Sequence, residues 1–445
     1  MSLEFSNIAL NDIVSLVIDY RGKTPKKLGS DWSESGIRAL SAKNIKTGQI
    51  IREDAIRYVD IELYNKWMKD EIKRNDILIT SEAPFGEVFF WDSDEKIVLS
   101  QRLFGVRCDE NKVDPKFIYF YMTSEMFQWE LQSRATGTTV KGLRQPELLK
   151  CQIQLPNIDN QRRISYILSN IESKINVLKE LNKNLTEIST RQFSHLMNNN
   201  IEEYLELKDI CKFIKGRKPK EISEQYKSNF SNYLTIEVLS NQNHTYAYDE
   251  KGIIANEYDI LMVMDGASSG KLFYGKQGLV GSTLAKIDVD KEYLEIIYQF
   301  LKFNEKYISD NTTGSAIPHT DKGLVLNLKC PISKKILDYS EFFKTIRSSI
   351  ILNNNEIIKL QKLRDTLLPK LMSGEIDVTK INCDLKIIII KFILNPLKYL
   401  WRHLNENKDY IQNTKSNETL FESRTIYKID KFFIKFTSRY RDYRQ

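Results

Sequence analysis

The sequence is poor in the residues that build metal sites and disulfide frameworks. It has only four histidines, His195, His244, His319 and His403, and none stands at metal-ligand spacing with another histidine or a cysteine. Its five cysteines, Cys108, Cys151, Cys211, Cys330 and Cys383, are scattered and form no CxxC pair. We therefore expect reduced, structurally placed thiols and no metal ion in this chain.

Segments that would direct the chain to or across a membrane are also missing. The first residues lack the basic start and apolar core of a signal peptide. The most apolar stretch, Leu385–Trp401, is interrupted by three lysines and Pro396. It falls short of the roughly 20 apolar residues that a membrane-spanning helix needs. These features predict a cytoplasmic protein.

Motifs for catalysis on DNA are absent as well. An adenine methyltransferase needs an Asn/Asp-Pro-Pro-aromatic motif, but Asn395-Pro396 is followed by Leu397. The segment Gly266–Lys271 is one residue too short for a nucleotide-binding P-loop, and leucine follows its lysine. The tripeptide Glu71–Lys73 has no paired upstream aspartate that would complete a nuclease site. The sequence predicts a protein without catalysis of its own.

The length of the chain and its net charge constrain the number of domains and the kind of binding partner only broadly. With 445 residues, the chain is long enough for two or three domains. The formal net charge is +7, but residues 381–445 alone carry 13 basic and 7 acidic side chains, which leaves the remainder nearly neutral. Any contact with a polyanion in the body of the protein must therefore come from local basic clusters.

The chain contains two diverged copies of one module, and their motifs recur in the same order. Two copies are too few for a solenoid. Within each copy, short runs such as Ile77–Thr80 and Val88–Trp91 predict strands, and Phe117–Gln132 predicts a helix. The module is therefore of mixed α and β structure. The matching segments are Leu10–Ile13 with Leu207–Ile210, Arg21–Lys27 with Lys215–Lys220, Asn75–Gly86 with Tyr258–Gly270, and Thr136–Lys141 with Thr313–Pro318.

Each module is followed by a long amphipathic helix with a narrow apolar seam. Asp159 is placed to cap the first helix, predicted from Gln161 to Met197, and the second is predicted to end at Pro369 and Gly374. A free helix of 37 residues would span roughly 55 Å, so we expect the two to pack as an antiparallel, coiled-coil-like pair. The alternative is that each lies on its own domain. The seams are Ile164, Ile167, Ile171, Ile175, Leu178, Leu181, Leu185 and Ile188, and Phe343, Ile346, Ile350, Ile357, Leu360 and Leu367.

Two runs in these helices resemble a known family. The run Leu155–Ile164 (LPNIDNQRRI) is similar to the central boundary of the specificity subunits of type I restriction-modification systems. The run Leu363–Ile376 (LRDTLLPKLMSGEI) resembles the closing helix of the same family. The resemblance covers the organisation of residues 1–380. Residues 381–445 depart from it, because family members typically stop soon after the second run.

The resemblance implies the fold class and the domain organisation. The fold class is α+β, with two mixed α/β target-recognition domains separated by two long antiparallel helices and related by a pseudo-two-fold axis. The expected divisions are target-recognition domain 1 at residues 1–155, a central helix at 156–200, target-recognition domain 2 at 201–335, a C-terminal helix at 336–380 and a basic tail at 381–445.

The resemblance also implies a function and a set of partners. The chain would bind double-stranded DNA at a bipartite target together with two methyltransferase (modification) subunits, which would methylate adenine. Two motor-nuclease (restriction) subunits would complete the assembly. S-adenosylmethionine, ATP and Mg would bind these partners, and no cofactor would bind this chain. Arg162 and Arg163, away from the seam, are candidates for docking the methyltransferase.

The turn-rich loops supply candidate DNA contacts, because basic groups bind phosphates and polar groups read base edges. Glu82 and Asp265 stand at matched positions and could accept from cytosine N4 or hold their loops together. Each candidate is equally consistent with solvated loop surface. The candidates are Arg21, Lys23, Lys26, Lys27, Lys43, Asn44, Lys46, Glu82, Thr138, Thr139, Lys141 and Arg144 in the first copy, and Lys215, Arg217, Lys218, Lys220, Asp265, Ser268, Ser269, Lys271 and Ser315 in the second.

Two other functions remain open at this point. One is a self-sufficient DNA-methylating or DNA-cleaving enzyme built on the same recognition scaffold; methyl transfer by the purified chain alone would identify it. The other is a coiled-coil adaptor that never touches DNA; it would show no sequence-selective binding in a reconstituted complex. For residues 381–445, the sequence does not choose between an additional contact surface, an amphipathic segment and an unstructured extension.

Overall fold

The computed structural model describes residues 4–137, 141–197, 203–240, 244–314 and 316–380. They divide into two compact units. The first unit contains the residues up to Asn176 and again those from Ile358 onward, and the second unit contains Val177–Ile357. Each unit therefore holds one predicted module and a part of both long helices.

Most strands in both modules are short. Their lengths agree with the turn-rich sequence between the apolar runs. In the first module the strands are β1 (Ser6–Ala9), β2 (Val14–Asp19), β3 (Ile37–Leu40), β4 (Ile45–Lys46), β5 (Gln49–Ile50), β6 (Arg57–Val59), β7 (Ile77–Thr80), β8 (Val88–Phe90), β9 (Ile97–Leu99), β10 (Leu103–Cys108) and β11 (Gln152–Leu155). In the second they are β12 (Tyr204–Glu206), β13 (Cys211–Lys215), β14 (Glu221–Ser223), β15 (Ser231–Leu234), β16 (Tyr246–Tyr248), β17 (Ile254–Ala255), β18 (Ile260–Val263), β19 (Leu272–Phe273), β20 (Gly278–Val280), β21 (Leu284–Val289) and β22 (Lys329–Pro331).

Helices alternate with these strands and include two that are much longer than the rest. The helices are α1 (Leu10–Ile13), α2 (Ile61–Trp67), α3 (Pro115–Thr123), α4 (Glu125–Ser133), α5 (Gln145–Leu149), α6 (Ile158–Met197), α7 (Leu207–Ile210), α8 (Ile236–Leu239), α9 (Leu294–Phe303), α10 (Glu305–Asp310), α11 (Lys322–Leu326), α12 (Lys334–Leu337) and α13 (Ser340–Met372). The short 3-10 helices are Lys26–Leu28, Ala42–Asn44, Glu53–Ala55 and Val378–Lys380.

The two units repeat the same sheet topology. The first has a four-stranded sheet of order β2-β10-β7-β8, and the second has one of order β13-β21-β18-β19; every pair in both is antiparallel. A further sheet in each unit contains one parallel pair, β3 with β9 and β15 with β20. The first and last strands of each module also pair, β1 with β11 and β12 with β22. The duplication read from the sequence is therefore a duplication of architecture.

The core of the first unit includes both long helices. Ile164 and Leu168 of α6 belong to the same buried cluster as Leu371 and Met372 of α13 and the strands of the first module. Four residues further along α6 than Leu168, Glu172 is paired with Arg364 at 3.8 Å. Because the positions rise along α6 as they fall along α13, the two helices are antiparallel here, as predicted.

The second unit holds the same antiparallel pair. The side-chain amide nitrogen of Asn182 donates to Oδ1 of Asn354 at 2.9 Å, and the side-chain amide nitrogen of Asn353 donates to Oδ1 of Asn182 at 2.8 Å. Further along, the rings of Phe193 and Phe343 lie 6.1 Å apart between centroids. Paired amides between apolar layers specify the register of a helix pair, because a shifted partner would leave them unbonded.

The beginning of α6 differs from the prediction. The helix begins at Ile158, because the side-chain oxygen of Asn157 accepts a hydrogen bond from the Asn160 backbone N–H at 3.0 Å. The prediction that Asp159 is the cap is wrong: Asp159 lies inside the first turn, where its negative charge interacts favourably with the helix dipole.

Two other helix predictions need correction. The helix predicted over Phe117–Gln132 is broken into α3 and α4 at Ser124, whose backbone is extended and whose hydroxyl accepts from the Phe127 N–H. Helix α13 continues through Pro369 to Met372. It ends before Gly374, which takes the left-handed conformation at φ 75° that favours glycine.

A buried ion pair fastens α13 to α9 inside the second unit. Arg347 donates to the Glu295 carboxylate at 2.6 Å and to the Tyr258 carbonyl at 2.8 Å, and both charged side chains are almost fully buried. The rings of Tyr274 and Tyr298 each lie 5.5 Å from the guanidinium carbon. Burial raises the pKa of Glu295, while Arg347 opposes that rise.

The structure bears on the cysteines, on membrane-spanning helices and on metal-binding clusters. Cys108, Cys151, Cys211 and Cys330 are free and buried, and Cys383 lies outside the described residues. No helix in the described ranges has both the length and the apolar composition for a bilayer crossing. The same ranges contain no cluster of three or more histidine, cysteine, aspartate or glutamate side chains suited to a metal ion.

Candidate nucleic-acid interface

In each unit, the loop that carries the matched carboxylate meets a Thr-Gly hairpin. Thr136 and Gly142 exchange backbone hydrogen bonds of 2.9 and 2.8 Å, and Thr313 and His319 exchange bonds of 2.8 and 2.7 Å. The residue that follows each hairpin then donates to the residue before the carboxylate: Leu143 to Ser81, and Thr320 to Met264, each at 2.8 Å. The sequence shows only that these segments are repeated. The structure brings them into contact in the same way in both units.

A cleft of about 630 Å³ lies beside this loop in the first unit. It contains three of the predicted site residues, Arg21, Lys23 and Glu82. Its other lining residues were not predicted. The full lining is Asp19, Tyr20, Arg21, Gly22, Lys23, Glu82, Gln101 and Arg102.

Arg21 and Lys23 use their charged groups within the protein. The Nε and Nη2 atoms of Arg21 each donate to Asp19 at 2.8 Å, and Nη1 donates to the Leu143 carbonyl at 3.1 Å. The Lys23 ammonium donates to the Trp67 carbonyl at 2.6 Å, and burial lowers its pKa. Both side chains therefore fix the walls of the cleft.

In the second unit, the matched carboxylate is bonded to two side chains. Asp265 lies 2.9 Å from the Lys215 ammonium and 2.8 Å from Nδ1 of His319. Burial acts to raise the pKa of Asp265, but the hydrogen bonds from His319 and Lys215 outweigh it and hold that pKa below its usual value. Sequence reasoning missed His319. Its position directly after the repeated Thr313–Pro318 segment was the available signal.

The predicted site residue Ser269 is buried and ties two loops together. Its hydroxyl lies 2.8 Å from the Gly266 carbonyl oxygen and 2.9 Å from that of Pro318. The neighbouring Ser268 is half-buried, and its side chain makes no hydrogen bond within the described residues.

This contrast gives a prediction. We expect Ser269→Ala to lower the free energy of unfolding by about 1 kcal/mol, because the substitution removes a buried hydroxyl and its hydrogen bond to a backbone carbonyl. Ser268→Ala serves as the matched control and should change it by less than about 0.5 kcal/mol. Urea unfolding followed by far-ultraviolet circular dichroism measures both. Equal losses for the two variants would contradict a loop-tying role for Ser269.

The remaining candidates fall into three groups. Asn44 is buried and forms a capping box with Ser41, so its side chain is held inside the module. Three basic residues contact the protein: Lys27 donates to the Gly22 carbonyl, Arg217 pairs with Asp249, and Lys220 lies 3.9 Å from Glu250. The side chains of the third group are exposed and make no hydrogen bond or ion pair within the described residues, although the Lys271 ammonium lies 5.0 Å from the Phe273 ring centroid: Lys26, Lys43, Lys46, Lys141, Arg144, Lys218 and Lys271.

Three candidates lie outside the described residues: Thr138, Thr139 and Ser315. The assignment of the whole set to DNA contacts stays a prediction. What the geometry adds is a distinction between side chains that are already bonded and side chains that remain available at the surface.

Comparison with known proteins identifies the family. The sequence profile described as "Type I restriction modification DNA specificity domain" matches twice, at residues 3–187 and 201–362. The two matches separate near the end of α6, so each covers one of the repeated modules.

Two of the similar proteins are specificity subunits from Methanocaldococcus jannaschii. The type I restriction enzyme MjaVIII specificity subunit is 31% identical over 175 residues, which is 36% of this chain and 41% of that protein. The MjaIX specificity subunit is 23% identical over 372 residues, which is 74% of this chain and 82% of that protein. The match to the first of these relatives thus spans less than half of its length.

A solved structure supports the fold. The crystal structure of a type I restriction-modification system S subunit from M. genitalium has a TM-score of 0.55 and 17% sequence identity, and the alignment covers 83% of this chain and 96% of that one. The two profile matches cover most of the chain, and they show that it belongs to the type I restriction-modification DNA specificity family.

Proposed function

We propose that this chain reads a bipartite DNA target, one half with each module, and directs partner subunits that modify or cut the DNA. The observation that carries the proposal is the repeated loop assembly, which joins the same strand end to the same hairpin in both units. A common scaffold with different side chains at its matched positions suits two half-sites of different sequence.

The side chains do differ between the two assemblies. The carboxylate of the first module, Glu82, pairs with Arg102, whereas Asp265 of the second pairs with Lys215 and His319. Hydrogen-bond donors and acceptors of this kind distinguish base pairs in the major groove. Specificity would therefore reside in the two loop assemblies, and the sheets beneath them would hold the loops in place.

The catalytic steps belong to partners in this proposal. Two modification subunits would bind S-adenosylmethionine and methylate adenine, and two restriction subunits would use ATP and Mg to translocate and cut DNA. Support comes from the missing catalytic motifs in this sequence and from the relatives, which are specificity subunits of type I restriction enzymes. Such a complex would act on DNA in the cytoplasm.

The test is to purify the tagged chain from its own host, once alone and once with the proteins that accompany it. We expect the isolated chain to transfer no methyl group and to cut no DNA, and the complex to contain a methyltransferase in a 2:1 ratio. Sequencing of DNA methylated by the complex should give one motif with two specified parts and an unspecified spacer.

Two results would overturn the proposal. Turnover by the homogeneous chain that is lost on mutation of a residue in this chain would identify a self-sufficient enzyme. A complex without sequence-selective DNA binding would identify a structural adaptor.

A further inference from the structure

In the cleft of the first unit, some side chains are already hydrogen-bonded to other protein groups and others are not. All three guanidinium nitrogens of Arg21 donate to protein oxygens, and its guanidinium carbon lies 4.0 Å from the Phe104 ring centroid. The Tyr20 hydroxyl is bonded to Asp70, and the Lys23 ammonium to the Trp67 carbonyl. These side chains can offer little to a ligand without breaking contacts that hold the cleft.

Arg102 and Gln101 are different. The Nε atom of Arg102 lies 3.0 Å from the Glu82 carboxylate, while Nη1 and Nη2 have no hydrogen-bond partner in the described part of the chain. Half of its side chain (52%) is exposed. Among the described residues the Gln101 side chain also has no hydrogen-bond partner, and it too is exposed.

The backbone fixes this turn between β9 and β10. Arg102 is in the left-handed region at φ 63°, which is uncommon for a residue with a side chain and recurs at functional sites. Its carbonyl accepts from the Ser81 N–H at 2.9 Å, and the Gln101 carbonyl accepts from Ala42 at 3.1 Å. The turn is thus tied to the carboxylate loop on one side and to a 3-10 helix on the other.

A guanidinium held by a carboxylate suits base reading better than phosphate binding. The adjacent Glu82 cancels much of the positive charge, which weakens attraction to phosphates. The same contact orients the guanidinium and leaves its two terminal nitrogens free. Two N–H groups from one arginine match the O6 and N7 acceptors of guanine in the major groove.

We propose that Arg102, oriented by Glu82, reads a guanine in the half-site bound by the first module, and that Gln101 contacts the neighbouring base pair. This assignment rests on the proposed function of the chain as a DNA-reading subunit. It identifies two specificity-determining residues outside the basic segments that the sequence singled out.

The second module lacks this pair of side chains. Thr283 occupies the place of Arg102, because its carbonyl accepts from the Met264 N–H at 2.8 Å as that of Arg102 accepts from Ser81. The residue before it is Ser282. Neither side chain has a guanidinium, so the guanine contact belongs to the first half-site alone.

The experiment is selection from a randomised double-stranded DNA library by the full chain in complex with the proteins that co-purify with it. Arg102→Gly removes the side chain at a position whose backbone glycine adopts freely. Arg102→Lys keeps the charge but not the forked geometry. Arg74→Ala is the matched control, since Arg74 is also an exposed arginine of the first module (46% side-chain exposure) that is paired with carboxylates, Asp92 and Asp94.

With the natural protein, we expect guanine to be preferred at one position by about ten- to a hundredfold. Arg102→Gly and Arg102→Lys should both reduce that preference to less than about twofold and leave the other half-site unchanged. Arg74→Ala should leave the whole motif as it is.

Other outcomes separate the possible failures. If the natural complex selects no two-part motif, the proposed function itself fails. If it selects one and Arg102→Gly leaves every base preference intact, the assignment of Arg102 fails. Arg102→Gly could also leave the base preferences unchanged but reduce the salt dependence of the DNA affinity by the equivalent of about one phosphate contact. That result would assign Arg102 to the DNA backbone instead.

Discussion

A paired insertion of four residues in α6 and α13 is expected to lengthen the spacer of the DNA target by one or two base pairs. The insertions follow Glu180 in α6 and Asn355 in α13, and each carries one leucine to continue the seam. Four residues add about 6 Å of helix and about 40° beyond a full turn. Because B-DNA advances about 3.4 Å per base pair along each strand, the half-sites should move apart while their sequences stay the same.

The register of the helices dictates where the insertions go. Since Asn182 bonds to Asn353 and Asn354, residues just before Asn182 face residues just after Asn354. Insertion in both helices at this level keeps the apolar layers and the amide pairs on either side in register. For this prediction we propose that the length of the helix pair sets the distance between the half-sites.

Two variants control this experiment. Insertion in α6 alone puts the amide pair and the Phe193–Phe343 contact out of register, so we expect a less stable protein. A paired insertion of two residues turns each seam by about 160° and exposes its leucine and isoleucine side chains, which should also destabilise the fold. An unchanged spacer in a stable four-residue variant would show that something other than helix length sets the distance.

The long helices and the repeats were predictable from the sequence because their signals are local and periodic. Apolar residues at steps of three or four mark α6 and α13. The strand at Ile77–Thr80 was predicted at its correct limits, since a short apolar run there stands between turn residues. Errors occurred where single side chains decide the outcome, as at Ser124, whose hydroxyl ends one helix and begins the next.

The candidate site was harder to predict because its contacts are formed between distant residues. Arg102 is one basic residue between two strands, and nothing in its neighbourhood separates it from a surface residue. Its significance comes from Glu82, which is 20 positions earlier in the chain and reaches it through the pairing of β7 with β10. Asn44 is the opposite case. It was predicted to contact DNA but is buried, and nothing in the sequence around this polar turn residue indicates its burial.

Exchange of one module should change one half of the DNA target and leave the other half intact. The structure places the limits of the first exchange at Ser6 and Leu155, because β1 and β11 pair and close the module just before α6 begins. The incoming module must keep apolar residues against Leu371 and Met372, which belong to the same core. The reciprocal exchange spans Tyr204 to Pro331, the limits set by the pairing of β12 with β22.

Sequencing of the DNA methylated by each chimera with its partners tests the central claim most directly. Our account predicts that exchange of the first module with that of a relative replaces one half of the motif with the relative's half, at an unchanged spacer. The reciprocal exchange should replace only the other half. If one exchange alters both halves, the two modules do not read DNA independently, and the account is contradicted.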